Sequence, residues 1–430
     1  MNELIAVVIF AATLVILFTE KWHRLVVSAV GASAMVGAGH LFGFYNEEIA
    51  IDAVEFETLG LLMGMMIVVS LLRKTGFFEF IAIQVAQRSG GSLARLLLTL
   101  GITTSVLSML LDNVTTIVLM APMIILIAEL LDVSPIPLLI SQAIFSNIGG
   151  MATLVGDPPN ILIGAASGLT FNDFLTHMGP IVLVVWVFSY LTLRYLFRRN
   201  LVASSPEQQR ILHNLSAEEA LTDPDSARRI LIVLAGIVVL FFLESTLNIA
   251  PAFAAMTGAA VALGWTYQDV HEILKEVEWD VLLFFSGLFV MVGGLDAAGV
   301  LERIARELIM LQSVSPVVLG LIVLWAMVLL SAVIDNVPIT IAVIPIILAL
   351  GAEGVNIQPL WWAIALGAGL GGNATPIGST ANVIAISISE RTAQRITSRQ
   401  WLADGVPTVL IGTLAASGLY LLLFDFLGGG

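Results

Sequence analysis

Apolar runs long enough to cross a bilayer recur along this chain, and nothing else in it limits the possible folds so tightly. Leu4–Phe18, Arg229–Phe242 and Val406–Phe426 each match, with their flanks, a hydrocarbon core about 30 Å thick. Of the 430 residues, 58% are apolar and 12% charged, against about 25% charged in soluble domains. Within lipid each span must satisfy its own backbone, which a helix does. The chain reads as an all-α polytopic membrane protein.

The net charge of −14 has a local origin. The acids collect in polar connections such as "NEEIAIDAVEFE" and "SAEEALTDPD", which read as solvated loops. No basic patch points to nucleic acid. The absence of cysteine excludes disulfides and thiolate metal sites. The start, "MNELIAVVIF", has no basic leader region and is expected to be a retained first span. No His/Cys cluster, nucleophile–base set or nucleotide-binding loop is visible, so an enzyme is not expected and no cofactor is called for.

Two of the apolar runs contain a carboxylate and an amide where a charge is costly: "LLDNVTTIVLMAPM" from Leu110 and "VIDNVPITIAVIPI" from Val333. Asp112-Asn113 and Asp335-Asn336 stand 223 residues apart (335 − 112). "VEFETLGLLMG" from Val54 and "VEWDVLLFFSG" from Val277 share that offset (277 − 54 = 223), as do Pro122 and Pro345. "GGMATLVGDPPN" from Gly149 matches "GGNATPIGSTAN" from Gly371 one residue short of it (371 − 149 = 222). The chain is therefore read as a tandem duplication: a first repeat over 1–198, a cytoplasmic linker over 199–227 and a second repeat over 228–430.

Each half is expected to hold five spans and a hairpin. In the first half spans fall near 2–19, 25–44 and 56–72, an amphipathic stretch near 76–89, and a hairpin near 92–131 with Asp112-Asn113 at its tip. An interrupted span near 136–168 and a last span near 176–197 follow. The second half repeats this near 229–247, 250–267, 279–296, 299–311, 314–351, 358–389 and 404–426. An odd number of spans per half inverts the second repeat. The expected architecture is two inverted-topology repeats with about ten spans, two re-entrant hairpins and two interrupted helices. Placing both termini outside leaves Arg303 and Arg306 as the only outward basic residues; the other sixteen, among them Arg210 and Arg391, fall inside, as the positive-inside rule requires.

Asp112 and Asp335 can be read as caps turning each hairpin. Their duplication favours ion binding, with Asn113 and Asn336 beside them as candidate Na⁺ ligands and Thr115 and Thr340 one turn further on. The second candidate element is the broken span: Asn147, Gly149, Gly150, Thr153, Gly156, Asp157 and Asn160, mirrored by Gly371, Gly372, Asn373, Thr375, Gly378, Ser379, Thr380 and Asn382. Glycines, prolines and small polar residues at that density unwind a helix. The ends so exposed attract anions at N-termini and cations at carbonyls. Asp157 is divided between site and cap, because its counterpart Ser379 is uncharged. Glu244, Asp280, Asp296 and Asp404 read as solvated span ends, and His40 and His177 as structural. Every Lys and Arg is expected in a loop or near a span end, so no fixed cation is expected at the midplane.

At these motifs the chain resembles the ion transporter superfamily of arsenite permeases, sodium–proton antiporters, and citrate and dicarboxylate symporters. It is most similar to the branch of the melanosomal pink-eyed-dilution P protein. "FETLGLLMGMMIVVSLLRKTGFFEF", "LLDNVTTIVLMAP", "IFSNIGGMATLVGDPPNILIG" and "LGAGLGGNATPIGSTANVI" carry the likeness. The resemblance implies inverted repeats, a substrate site between hairpin tips and unwound helices, and an elevator-like homodimer. Where the dicarboxylate branch has Ser-Asn-Thr at its tips, this chain has Asp-Asn-Val.

The expected function is secondary active transport of a small anion or metalloid oxyanion, coupled to Na⁺ or H⁺ in a bacterial or archaeal plasma membrane. A sodium–proton antiporter using the same carboxylates is the alternative, and an anion channel the third reading. A channel would dissipate gradients that a transporter uses.

Overall fold

The computed structural model describes residues 1–18, 21–200, 214–307, 314–390, 392 and 394–429. Arg210, Arg391, linker residues 201–213 and the end of the 299–311 stretch lie outside the described residues. All regular structure among the described residues is helical. The first half runs α1 (Asn2–Phe18), α2 (Arg24–Phe42), α3 (Glu47–Asp52), α4 (Phe56–Arg73), α5 (Phe77–Arg88), α6 (Leu93–Ser108), α7 (Asn113–Leu130), α8 (Ile136–Gly150), α9 (Pro158–Ser167) and α10 (Phe171–Leu196). The second runs α11 (Pro224–Phe242), α12 (Pro251–Thr266), α13 (Val270–Glu276), α14 (Trp279–Ala297), α15 (Val300–Glu307), α16 (Pro316–Ser331), α17 (Asn336–Ala352), α18 (Gln358–Gly371), α19 (Thr380–Ser389) and α20 (Ser398–Leu422). Apart from the short turns Ala217–Ala220, Glu244–Leu247 and Asp425–Gly429, each helix of the second half thus answers the one ten places earlier.

The packing repeats in the same order. Helix α2 lies on α14 and α4 on α12, while α6 lies on α8 and α16 on α18. Across the halves, α7 packs on α19, α17 on α9, and α10 on α20. Two bodies result. One holds α1, α2, α4, α11, α12 and α14; the other holds the hairpins α6–α7 and α16–α17, the broken pairs α8–α9 and α18–α19, and α10 and α20. The amphipathic α5 packs on α7, and α15 on α17, as joints between the bodies.

By length and composition, α2, α4, α7, α10, α14 and α20 could each cross a bilayer alone. Most of the remaining crossings are shorter helices, and Gly and Pro break the α8–α9 and α18–α19 pairs. At 18 residues, α7 is long enough to cross, about 27 Å at roughly 1.5 Å per residue. Its tip nevertheless lines one cavity with the tip of α17. Hairpins entering from opposite faces can meet tip to tip only if each stops midway, so both are re-entrant. Every residue of α8 is buried, which puts the broken helices at the centre of their body. Two spans start about five residues earlier than the hydropathy suggested, α10 at Phe171 and α20 at Ser398, because Thr170 and Thr397 cap them.

Candidate functional site

Each hairpin tip is built around its aspartate. Asp112 caps α7 by accepting the Thr115 N–H at 2.7 Å. Asp335 accepts from Val337 N–H at 3.4 Å and from the Thr380 hydroxyl at 2.8 Å. Both aspartates cap their helices; Asp112 also lines the cavities of the site, and Asp335 is tied to them through Thr380. The amides beside them turn inward and are buried. Asn113 Nδ2 donates to Asn147 Oδ1 at 2.8 Å and to Asp157 Oδ1 at 3.2 Å. From the other hairpin, Asn336 Nδ2 donates to Asp157 Oδ1 at 3.3 Å and Oδ2 at 3.5 Å.

Asp157 therefore joins the two tips. It is 1% exposed, and its side chain makes no capping bond to α9. Behind it the amides cross the halves. Asn147 Nδ2 donates to Asn373 Oδ1 at 2.8 Å and Asn382 Oδ1 at 3.2 Å, and the Ser379 hydroxyl donates to Asn147 Oδ1 at 3.1 Å. Among the described residues' buried oxygens without a partner are two on side chains of this network, Asn113 Oδ1 and Asn160 Oδ1. An unpaired buried acceptor costs about 1–3 kcal/mol, so each is a place where a ligand would be stabilised.

Other candidates hold the frame. Thr153 donates to the Met109 carbonyl, and Thr375 to that of Ala332 at 2.6 Å. Asn160 Nδ2 donates to the Gly150 and Thr153 carbonyls, and Asn382 Nδ2 to those of Gly372 and Thr375. Ser108 donates to the Ser146 carbonyl and Ser331 to that of Ala368, both at 2.7 Å. The same bonds thus recur in register in both halves. Thr340 donates to the Asn336 carbonyl and does not face the site. The glycines are matters of space. A methyl group on Gly156 would come within 2.6 Å of the Gly150 and Ser108 carbonyl oxygens, and one on Gly378 within 2.8 Å of those of Gly372 and Ser331. Gly149 and Gly371 likewise lie directly on the backbones of α6 and α16.

The N-termini of α7, α9, α17 and α19 converge here with the C-termini of α8 and α18. Four partial positive ends and two partial negative ends thus surround the carboxylates. On the face bearing Arg73, two cavities of about 60 and 40 Å³ lead to Asp112. The smaller is also lined by Asn113, Asn336, Ser379 and Thr380, and by Arg24 and Glu278. Arg24 Nη1 donates to Thr380 Oγ1 at 3.4 Å, and Thr380 in turn holds Asp335. An arginine thus reaches the site, which the sequence did not foretell. Arg24 does stand at a span end, but the cavity extends down to it. Glu278 was equally missed, although it lies in the duplicated "VEWD". Asp404, expected to be solvated, is 9% exposed inside α20. His177 is stacked between Trp362 and Phe426, a structural setting.

Known proteins are similar to this chain over most of its length. An uncharacterized transporter of Mycobacterium tuberculosis H37Rv is 37% identical over 99% of this chain and 100% of its own length. A 46 kDa membrane protein of Mycobacterium leprae is 36% identical over 98% of both. The human P protein is 29% identical over 95% of this chain, which spans 58% of it. Among solved structures, the Alcanivorax borkumensis YdaH transporter aligns with a TM-score of 0.65, covering 94% of this chain and 99% of that one at 14% identity, a likeness of fold. The family model described as citrate transporter matches residues 14–367, so the hairpins, broken helices and joined tips belong to a membrane transporter of the citrate transporter family within the ion transporter superfamily.

Proposed function

We propose that this transporter is secondary active, moving a small anion or metalloid oxyanion together with Na⁺ or H⁺ by alternating access. One observation carries the reading: a single buried carboxylate, Asp157, holds amides from two hairpins that enter from opposite faces. A cation bound there would touch both hairpins at once. Asp157 and the partnerless Asn113 Oδ1 supply the oxygen ligands a hard cation prefers. Asp112 and Asp335 stand beside them. With the cation in place, the four helix N-termini and Arg24 can accept the anion. The family's description as citrate transporters supports a carboxylate among the anions.

The division into two bodies supports an elevator-type displacement of the hairpin body. Pairing into a homodimer rests on the resemblance to the dicarboxylate branch. Four carboxylates, Asp112, Asp157, Asp335 and Glu278, against one arginine favour a second reading, Na⁺/H⁺ exchange without an anion.

Purified protein in liposomes loaded with a pH-sensitive dye separates these readings. Na⁺, Li⁺ and K⁺ gradients are imposed without and then with citrate, phosphate or arsenite. Proton movement that needs one anion supports the coupled anion transporter. Proton movement driven by a cation gradient alone replaces it with the antiporter, and anion flux that only dissipates its gradient replaces it with a channel.

A further inference from the structure

Glu55 and Glu278 hold matching places in the duplication (278 − 55 = 223). Each is the residue before its helix, α4 or α14, with nearly the same backbone (φ −76°, ψ 81° and φ −76°, ψ 69°). Neither side chain caps its helix, so the position is not explained by helix ends. Glu278 lines both cavities that reach Asp112, and the two carboxylates repel. Glu55 lines both cavities of the opposite face, about 200 and 270 Å³ in volume.

The halves are thus in unequal surroundings. Asp112 faces Glu278, while its counterpart Asp335 accepts from Thr380, which itself accepts from Arg24, away from Glu55. Yet one cavity that Glu55 lines, of about 270 Å³, is also lined by Ile341 and Ile344 of α17, the helix that Asp335 caps. Asp335 lies six residues (341 − 335) below Ile341, about 9 Å of helix at roughly 1.5 Å per residue. A slide of that size along α17, into a cavity already open, brings Asp335 to Glu55. The result is the mirror image of the present Asp112–Glu278 arrangement.

We propose that Glu278 and Glu55 are mirror-related docking stations for the hairpin tips, Asp112 meeting Glu278 in the state seen and Asp335 meeting Glu55 in the opposite state. Two carboxylates approach only if a proton or cation lies between them, so each assembled pair is where the coupling cation passes between the bodies. The stations differ in charge: Arg24 stands at the first and favours release, whereas Glu57 and Glu244 accompany the second and favour capture. This inference rests on the alternating-access reading above.

Because the chain has no cysteine, introduced pairs report directly. Val114→Cys/Glu278→Cys tests the arrangement seen, and Val337→Cys/Glu55→Cys tests its mirror. In proteoliposomes both pairs are expected to join through a short bis-maleimide, each link stopping transport. Should Glu55→Cys misfold, Ala53→Cys, which lines the same cavity, takes its place. Glu55→Gln and Glu278→Gln, assayed singly, are expected to raise about tenfold the Na⁺ needed for half-maximal flux at fixed pH if Na⁺ couples. If H⁺ couples, they instead displace the pH profile. A transporting protein whose mirror pair never joins, or whose Gln variants keep the parent's cation dependence, overturns the stations and leaves the transport reading intact. Both pairs joining in a protein that couples no flux overturns the coupled transport and the cation role together.

Discussion

Asp157 and Ser379 occupy equivalent places in the two repeats, and the one charge between them joins the hairpins. Asp157→Asn keeps the shape and removes the charge that a cation would need. Cation-coupled flux in liposomes should fall about tenfold or more, since hydrogen bonds to a charged group contribute about 1.5–3 kcal/mol and 1.4 kcal/mol is a factor of about ten. Asp112→Asn and Asp335→Asn should fold normally, because Asn caps a helix about as well as Asp, and should still lower the flux. Unchanged transport in all three variants would refute the site. The residue types at this centre were legible from the duplication. Which way each side chain points was not, since a residue can cap, bind or do both, and only the fold decides. Arg24 escaped notice because hydropathy places it at a span end, and the cavity that reaches it is made by distant segments.

The broken helices work as elements because their carbonyls are tied to the hairpins by matched bonds. Ser108 and Ser331 each tie a hairpin to a broken helix from 0% exposed positions. Ser108→Ala and Ser331→Ala should each cost about 1 kcal/mol. The double variant should cost their sum, because distant sites add; unfolding in detergent measures all three. A second element-level effect involves Glu244, whose carboxylate accepts the Phe171 N–H at 3.3 Å, at the start of α10. Burial, and beyond it the charges of Asp173 and Glu57, hold its pKa above the ordinary glutamate value, against the Phe171 bond. A raised folded-state pKa means the native protein keeps this proton longer than the unfolded chain does. Its contribution therefore favours folding in acid and is lost as pH climbs from about 4.3 through the raised value. Relative to the parent, Glu244→Gln should gain melting temperature as pH rises from about 4 to 7. A gap that stays constant with pH would contradict this. Spans and breaks were legible here from Gly and Pro; early helix starts such as Phe171 were not, because a threonine cap reads as loop.

At the scale of the whole molecule, the inverted arrangement follows from parity: an odd number of crossings between matching segments turns the second copy over. The tips then meet from opposite faces, as the shared cavity requires. The sequence alone left each hairpin free to cross, because α7 has the length and apolarity to do so; only the meeting of the tips decides. The basic residues predict which face is cytoplasmic. Arg73, Lys74 and Arg198 share one face, and translocating such residues is disfavoured. The absence of cysteine makes the assignment testable. Asp52→Cys on α3 and Ser216→Cys before α11 place single exposed thiols on opposite faces. In intact cells a membrane-impermeant maleimide should label the first, and the second only after permeabilisation. The reverse pattern would turn the protein over. The Glu57 and Glu244 carboxylates would then face the cytoplasm and Arg24 the outside, so the cation would be captured inside and the coupled flux would run outward.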